Sequence, residues 1–137
     1  MIKSDIIHPE LLSVLAKCGH KTQILIADSN YSFVTNSPKD AKVIYLNLSK
    51  DMIPSTIILS SLVKMINIER ATMMAWPDNF ENTIESEYKS ILDSNKELEL
   101  LERQEFYSTV KSPNTLLVIA SGETRRFANL LLTVAPV

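Results

Sequence analysis

The spacing of apolar residues changes period several times along the chain, and each change predicts an element. Leu11, Leu15 and Cys18 share one helical face after Pro9, which suits a first helical position, and Gly19 is placed to stop the helix, so residues 9–18 read as helical. Gln23 to Ala27 is a short apolar run ending at Asp28 and reads as a buried strand. Residues 29–41 are polar and broken by Pro38, as a loop would be, and Lys42 to Asn47 is a second strand candidate. Pro54 opens a second helix with Ile58, Leu62 and Ile66 in line, and Ala71 to Trp76 is a strand terminated by Pro77. Phe80, Ile84, Tyr88 and Ile91 mark a third helix. Glu97 to Glu102 alternates like a strand but consists of good helix formers, so both readings stay open. Residues 105–112 read as a short helix, Thr115 to Ala120 as a strand, and Ser121-Gly122 as a turn. The last apolar segment, Asn129 to Val134, is a candidate for interface or core, with core favoured.

Strands that are apolar throughout, alternating with helices, predict an α/β fold: a layered α/β/α domain with a mixed, mostly parallel sheet. With 137 residues and no repeat or linker, the chain reads as one domain spanning 1–137. Composition then narrows the chemistry. A formal net charge of −2 gives no electrostatic reason to expect nucleic acid or an anionic membrane as partner. Two glycines, Gly19 and Gly122, are too few for a phosphate-cradling loop. Two histidines and one cysteine, widely spread, do not make a zinc site of the usual spacing, so no metal or other cofactor is expected. No intrachain disulfide is possible with Cys18 alone, and no signal-like or membrane-spanning apolar stretch is seen, so a cytoplasmic location is expected.

Four places carry polar groups that packing alone does not demand. His20, in the turn after the first helix, is of the residue type that can shuttle protons, although a surface histidine near a helix end is the commoner case. Asp28 stands at the carboxyl end of a strand, where α/β sheets bind ligands, or it simply forms a turn with Asn30. Arg103 precedes Glu105-Phe106-Tyr107, and arginine beside aromatics either clamps hydroxyl groups or makes a solvated ion pair. Ser121 to Asn129 is a polar stretch that fits a ligand-binding loop and also any charged hairpin.

In order, these segments resemble the ribose pyranase/fucose mutarotase family over nearly the whole chain. The similarity is carried by P-E-L-L-x-V-L-A-x-x-G-H at Pro9 to His20, by D-x-N-aromatic at Asp28 to Tyr31, by Arg103 with Phe106-Tyr107, and by S-G-E-T-R-x-aromatic-A-N-L-L-L at Ser121 to Leu132. The Pro9 opening, the Asp28 loop and Arg103 make the chain closer to the fucose mutarotases. The resemblance implies that His20 is the catalytic proton-transfer group and that Asp28, Arg103 and the segment Phe127, Ala128 and Asn129 line the sugar site. It also implies a ring-shaped homo-oligomer, commonly a decamer, with sites between subunits. Two positions depart from the family pattern. Phe127 stands where tyrosine is usual, and Thr22 stands where Gly-His-x-Asp places an acid.

The activity so implied is interconversion of the anomers of fucose or a related monosaccharide, which needs no cofactor. A base takes the anomeric hydroxyl proton, an acid protonates the ring oxygen, and the freed aldehyde rotates and recloses; each transfer is worth about 10²–10⁴ in rate. The alternative is a non-catalytic sugar-binding or regulatory relative that kept the fold and lost part of the site. One geometric difficulty is visible in the sequence. A five-residue strand separates His20 from Asp28 by roughly 17 Å. Either the chain around Lys21-Thr22 folds back, or the two residues meet from neighbouring subunits.

Overall fold

A computed structural model describes residues 1–137. The elements run α1 (Pro9–Leu15), β1 (Gln23–Ala27), β2 (Lys42–Tyr45), α2 (Ser55–Leu62), β3 (Ile68–Met74), α3 (Glu85–Ile91), β4 (Leu98–Leu101), α4 (Arg103–Val110), β5 (Thr115–Ala120) and β6 (Leu130–Val134). The strands form one six-stranded sheet in the order β2-β5-β1-β6-β3-β4. β6 is antiparallel to both of its neighbours, β1 and β3, and every other pairing is parallel. Five strands therefore end at the same edge, and β6 enters the sheet from it.

The continuous apolar runs are explained by burial on two faces. In β1, Ile24 and Ile26 join a core of 21 buried residues, while Leu25 and Ala27 join a second core of nine. β5 and β6 divide in the same way, with Leu117, Ile119, Leu130 and Leu132 on the first side and Val118 and Leu131 on the other. The larger core packs under α1, α2 and α3 through Leu11, Leu15, Ile58, Leu62 and Tyr88; the smaller packs under α4 through Phe106 and Val110. The layered α/β/α expectation holds, and the final apolar segment is core.

Several expectations change at element boundaries: the second strand ends at Tyr45 rather than Asn47, the second helix ends at Leu62 rather than reaching Ile66, and the short helix spans Arg103–Val110 rather than 105–112. The first helix stops at Leu15 rather than residue 18, because Lys17 and Cys18 donate to carbonyls three residues back, a tightened turn. Gly19 is not a left-handed stop; the positive φ falls on Lys21, at 70°. The third helix begins at Glu85, not near Phe80, because the Asn82 side chain accepts from the N–H groups of Ile84 and Glu85 at 3.0 and 2.9 Å and so starts the helix there. The third strand begins earlier than Ala71, at Ile68, and ends at Met74. The ambiguous Glu97–Glu102 segment is a strand, since it completes the sheet edge beside β3. Gly122 is required by close approach: a Cβ there would lie 2.1 Å from the Met52 carbonyl oxygen.

Candidate functional site

The carboxyl edge of the sheet brings together residues from β1, β3, α4 and the segment before β6. Asp28 follows β1 directly and is 2% exposed. Its backbone N–H donates to Asn129 Oδ1 at 2.8 Å, and Asn129 Nδ2 donates back to Asp28 Oδ2 at 3.0 Å. This reciprocal pair fixes the orientation of the Asn129 amide. The Asp28 carboxyl also accepts the N–H groups of Asn30 at 2.9 Å and Ala128 at 3.2 Å. Burial pushes the Asp28 carboxyl above its ordinary range, and the backbone N–H groups of Asn30, Ala128 and Tyr31 offset only part of that. A carboxyl group held in this way takes up a proton more readily than a free one, which suits acid/base work.

Phe127 adopts a left-handed backbone, φ 60°, which costs a non-glycine residue about 1–3 kcal/mol. The residue after it is held on both sides. The Ala128 N–H donates to Asp28, and its carbonyl accepts from the Tyr88 hydroxyl at 2.6 Å. Tyr88 is fully buried and lies 2.7 Å from Ser55 Oγ, which donates to Glu123 at 3.1 Å. Glu123 is 2% exposed and meets Arg125 through Nε at 2.9 Å and Nη2 at 3.2 Å. Burial pushes the Glu123 carboxyl up, but the Arg125 guanidinium and backbone outweigh it and hold it below the usual carboxylate range. The turn returning the chain into β6 thus rests on a buried polar network.

Between these parts lies a cavity of about 220 Å³. Its polar lining is Asp28, Asn30, Arg103, Arg126 and Asn129, and its apolar lining is Tyr31, Met74, Tyr107 and Phe127. At about 30 Å³ per water, the space holds roughly seven waters, the scale of a single sugar ring rather than a nucleotide. The Phe127 ring packs edge-on to Phe80 at 4.8 Å, and the Arg126 guanidinium lies over both rings at 5.4 and 5.6 Å. Tyr31 and Tyr107 pack at 5.8 Å, and the Tyr31 hydroxyl donates to the Asn36 carbonyl.

Four of the residues singled out in the sequence, Asp28, Arg103, Phe127 and Asn129, therefore line one cavity. Ala128 stands behind them and contributes its N–H to Asp28. His20 is elsewhere. It lies at the opposite edge, before β1, with Nε2 3.0 Å from Glu69 at the start of β3. Lys21 pairs with the same carboxylate and, with His20, holds it below the usual range. Thr22 starts the ladder with β6, its carbonyl accepting the Val134 N–H. The chain around Lys21-Thr22 does not fold back toward Asp28. Sequence reasoning passed over Glu69, which supplies beside His20 the carboxylate absent at Thr22. Glu123 and Arg126 fell inside the polar stretch Ser121–Asn129, but their roles were not read from it, and Ser55 and Tyr88, the partners in the buried network, were passed over.

Comparison with known proteins finds the same fold and a matching family. Human fucose mutarotase is 30% identical over 137 aligned positions, covering 93% of this chain and 87% of the relative. FucU from Bifidobacterium longum superposes with a TM-score of 0.83 at 31% identity, covering 96% of this chain and 95% of that one. Bacillus subtilis RbsD, solved in complex with D-ribose, has the same fold, with a TM-score of 0.86 at 23% identity over 100% of this chain and 99% of that one. The model of the RbsD / FucU transport protein family matches residues 1–137, and the chain belongs to that family.

Proposed function

We propose that the protein is a cofactor-independent monosaccharide mutarotase, acting on fucose or a related sugar by acid/base ring opening and reclosure. The observation that carries this reading is the single-sugar cavity in which Asp28, Arg103, Phe127 and Asn129 converge. Asp28, with its raised pKa, and His20, with Glu69 behind it, supply the two proton-transfer groups, and Arg103 and the loop from Phe127 to Asn129 position the ring. Tyr107, whose hydroxyl makes no hydrogen bond within the chain, lines the same cavity and offers the sugar a further polar partner.

His20 enters the reaction from a neighbouring copy. His20 and Asp28 lie at opposite edges of the sheet, so a closed ring of identical subunits, a decamer in our reading, would place one copy's His20 against the next copy's cavity. The protein then works in the cytoplasm, on free monosaccharide. The direct test is saturation-transfer NMR on fucose, ribose, galactose and related sugars, reading anomer exchange with and without protein. Exchange above the spontaneous rate for at least one sugar is expected. Binding without accelerated exchange would favour a non-catalytic sugar-binding relative, a reading that Phe127 supports because it lacks a hydroxyl.

A further inference from the structure

Four arginines occur in the chain, and two of them are neutralised: Arg70 faces Glu99, and Arg125 is held by Glu123 and Glu87. The other two, Arg103 and Arg126, have no carboxylate within 4 Å and no side-chain hydrogen bond, and both line the same cavity of about 220 Å³. Asp28 is the only carboxylate in that lining, and its oxygens are engaged by the Asn30 and Ala128 N–H groups and the Asn129 amide. The cavity therefore holds two exposed arginines with no carboxylate partner within the chain and one buried carboxyl group, Asp28. Arg126 is also restrained. Its guanidinium carbon lies 5.6 Å from the Phe80 ring centroid and 5.4 Å from that of Phe127, and no carboxylate of the chain takes its N–H groups.

A neutral sugar does not use this arrangement fully, because hydroxyl groups need donors and acceptors rather than net charge. From the unpaired Arg103 and Arg126 we infer that the preferred ligand is an acidic monosaccharide, a hexuronate whose carboxylate is bound by both guanidiniums while Asp28 and Asn129 face the remaining hydroxyls. This rests on the sugar-site reading above and narrows its substrate class. A carboxylate suits the site better than a phosphate. It is planar, it presents two oxygens to forked donors, and it adds little volume to a ring that already fills the space.

The experiment is calorimetric titration of the full-length protein at pH 7 and low salt with matched pairs: galacturonate against galactose, and glucuronate against glucose. A hexose 6-phosphate and L-fucose are titrated beside them. At least one uronate is expected to bind about tenfold tighter than its neutral partner, the effect of one charge-assisted hydrogen bond. That advantage should shrink with added salt and fall toward unity in both Arg126→Gln and Arg103→Gln. Arg126 and Arg103 are exposed, so neither change threatens the fold. The inference is overturned if neutral sugars bind as tightly as uronates, as they would were a neighbouring copy's carboxylates to neutralise the arginines. Survival of the preference in both variants, or tighter binding of the hexose phosphate, overturns it as well. Anomer exchange on L-fucose, read in the same samples, keeps the two readings separate. Uronate preference without exchange of any sugar removes only the mutarotase reading, and exchange without acidic preference removes only this inference.

Discussion

Phe127 concentrates the residue-scale questions. Its left-handed backbone turns its ring onto Phe80 and under Arg126, so the ring forms the cavity wall without offering a polar contact. Phe127→Tyr should tighten binding of at least one sugar or speed its exchange, by up to the about 1–3 kcal/mol of a newly satisfied polar group. Titration and exchange across a sugar panel check this, and unchanged affinity and rate would remove Phe127 as the limiting departure. Asp28 and Asn129 were legible in the sequence because a carboxylate after an apolar strand and an amide before one are out of place in a core. Their reciprocal hydrogen bonds were not legible, since the partners are 101 positions apart. Glu69 was missed for the same reason: nothing local to Asn67-Ile68-Glu69-Arg70 marks it as the partner of a histidine 49 positions away.

At the scale of elements, strand interiors were read well and their ends less well. β1 and β5 agree residue for residue with the apolar runs, because burial on both faces leaves no polar interruption. α3 was drawn too long because Phe80 fits the helical spacing, whereas Asn82 caps the helix after it and frees Phe80 to pack on Phe127. The turn from β5 to β6 depends on the ionised state of Glu123, whose folded pKa lies below its unfolded value of about 4.3. The unfolded chain therefore binds more protons in that window, so this contribution to stability is present above about pH 4 and is lost as pH falls through the folded value. Glu123→Gln should lower stability by about 1–3 kcal/mol near neutral pH, because Ser55 and Arg125 lose their charged acceptor. Urea unfolding from pH 7 to pH 3 should show that difference narrowing with acid; a constant gap would mean that ionised Glu123 does not support the turn.

At the scale of the whole molecule, the sheet separates the two halves of the proposed chemistry. The cavity occupies the carboxyl edge, and His20 with Glu69 occupies the opposite one. The strand length already contained this separation in the sequence; the structure removes a local fold-back as its remedy, leaving association between copies. Within such a closed assembly, each copy lends Asp28 to one site and His20 to another. The most direct test mixes His20→Ala subunits with Asp28→Ala subunits, each inactive alone, after subunit exchange has been demonstrated, and measures anomer exchange by NMR. Random mixing in equal amounts should restore about a quarter of the sites, and about a quarter of wild-type exchange, because a site is intact only when each contributor carries its own functional residue. No recovery after proven subunit exchange would contradict a site shared between copies.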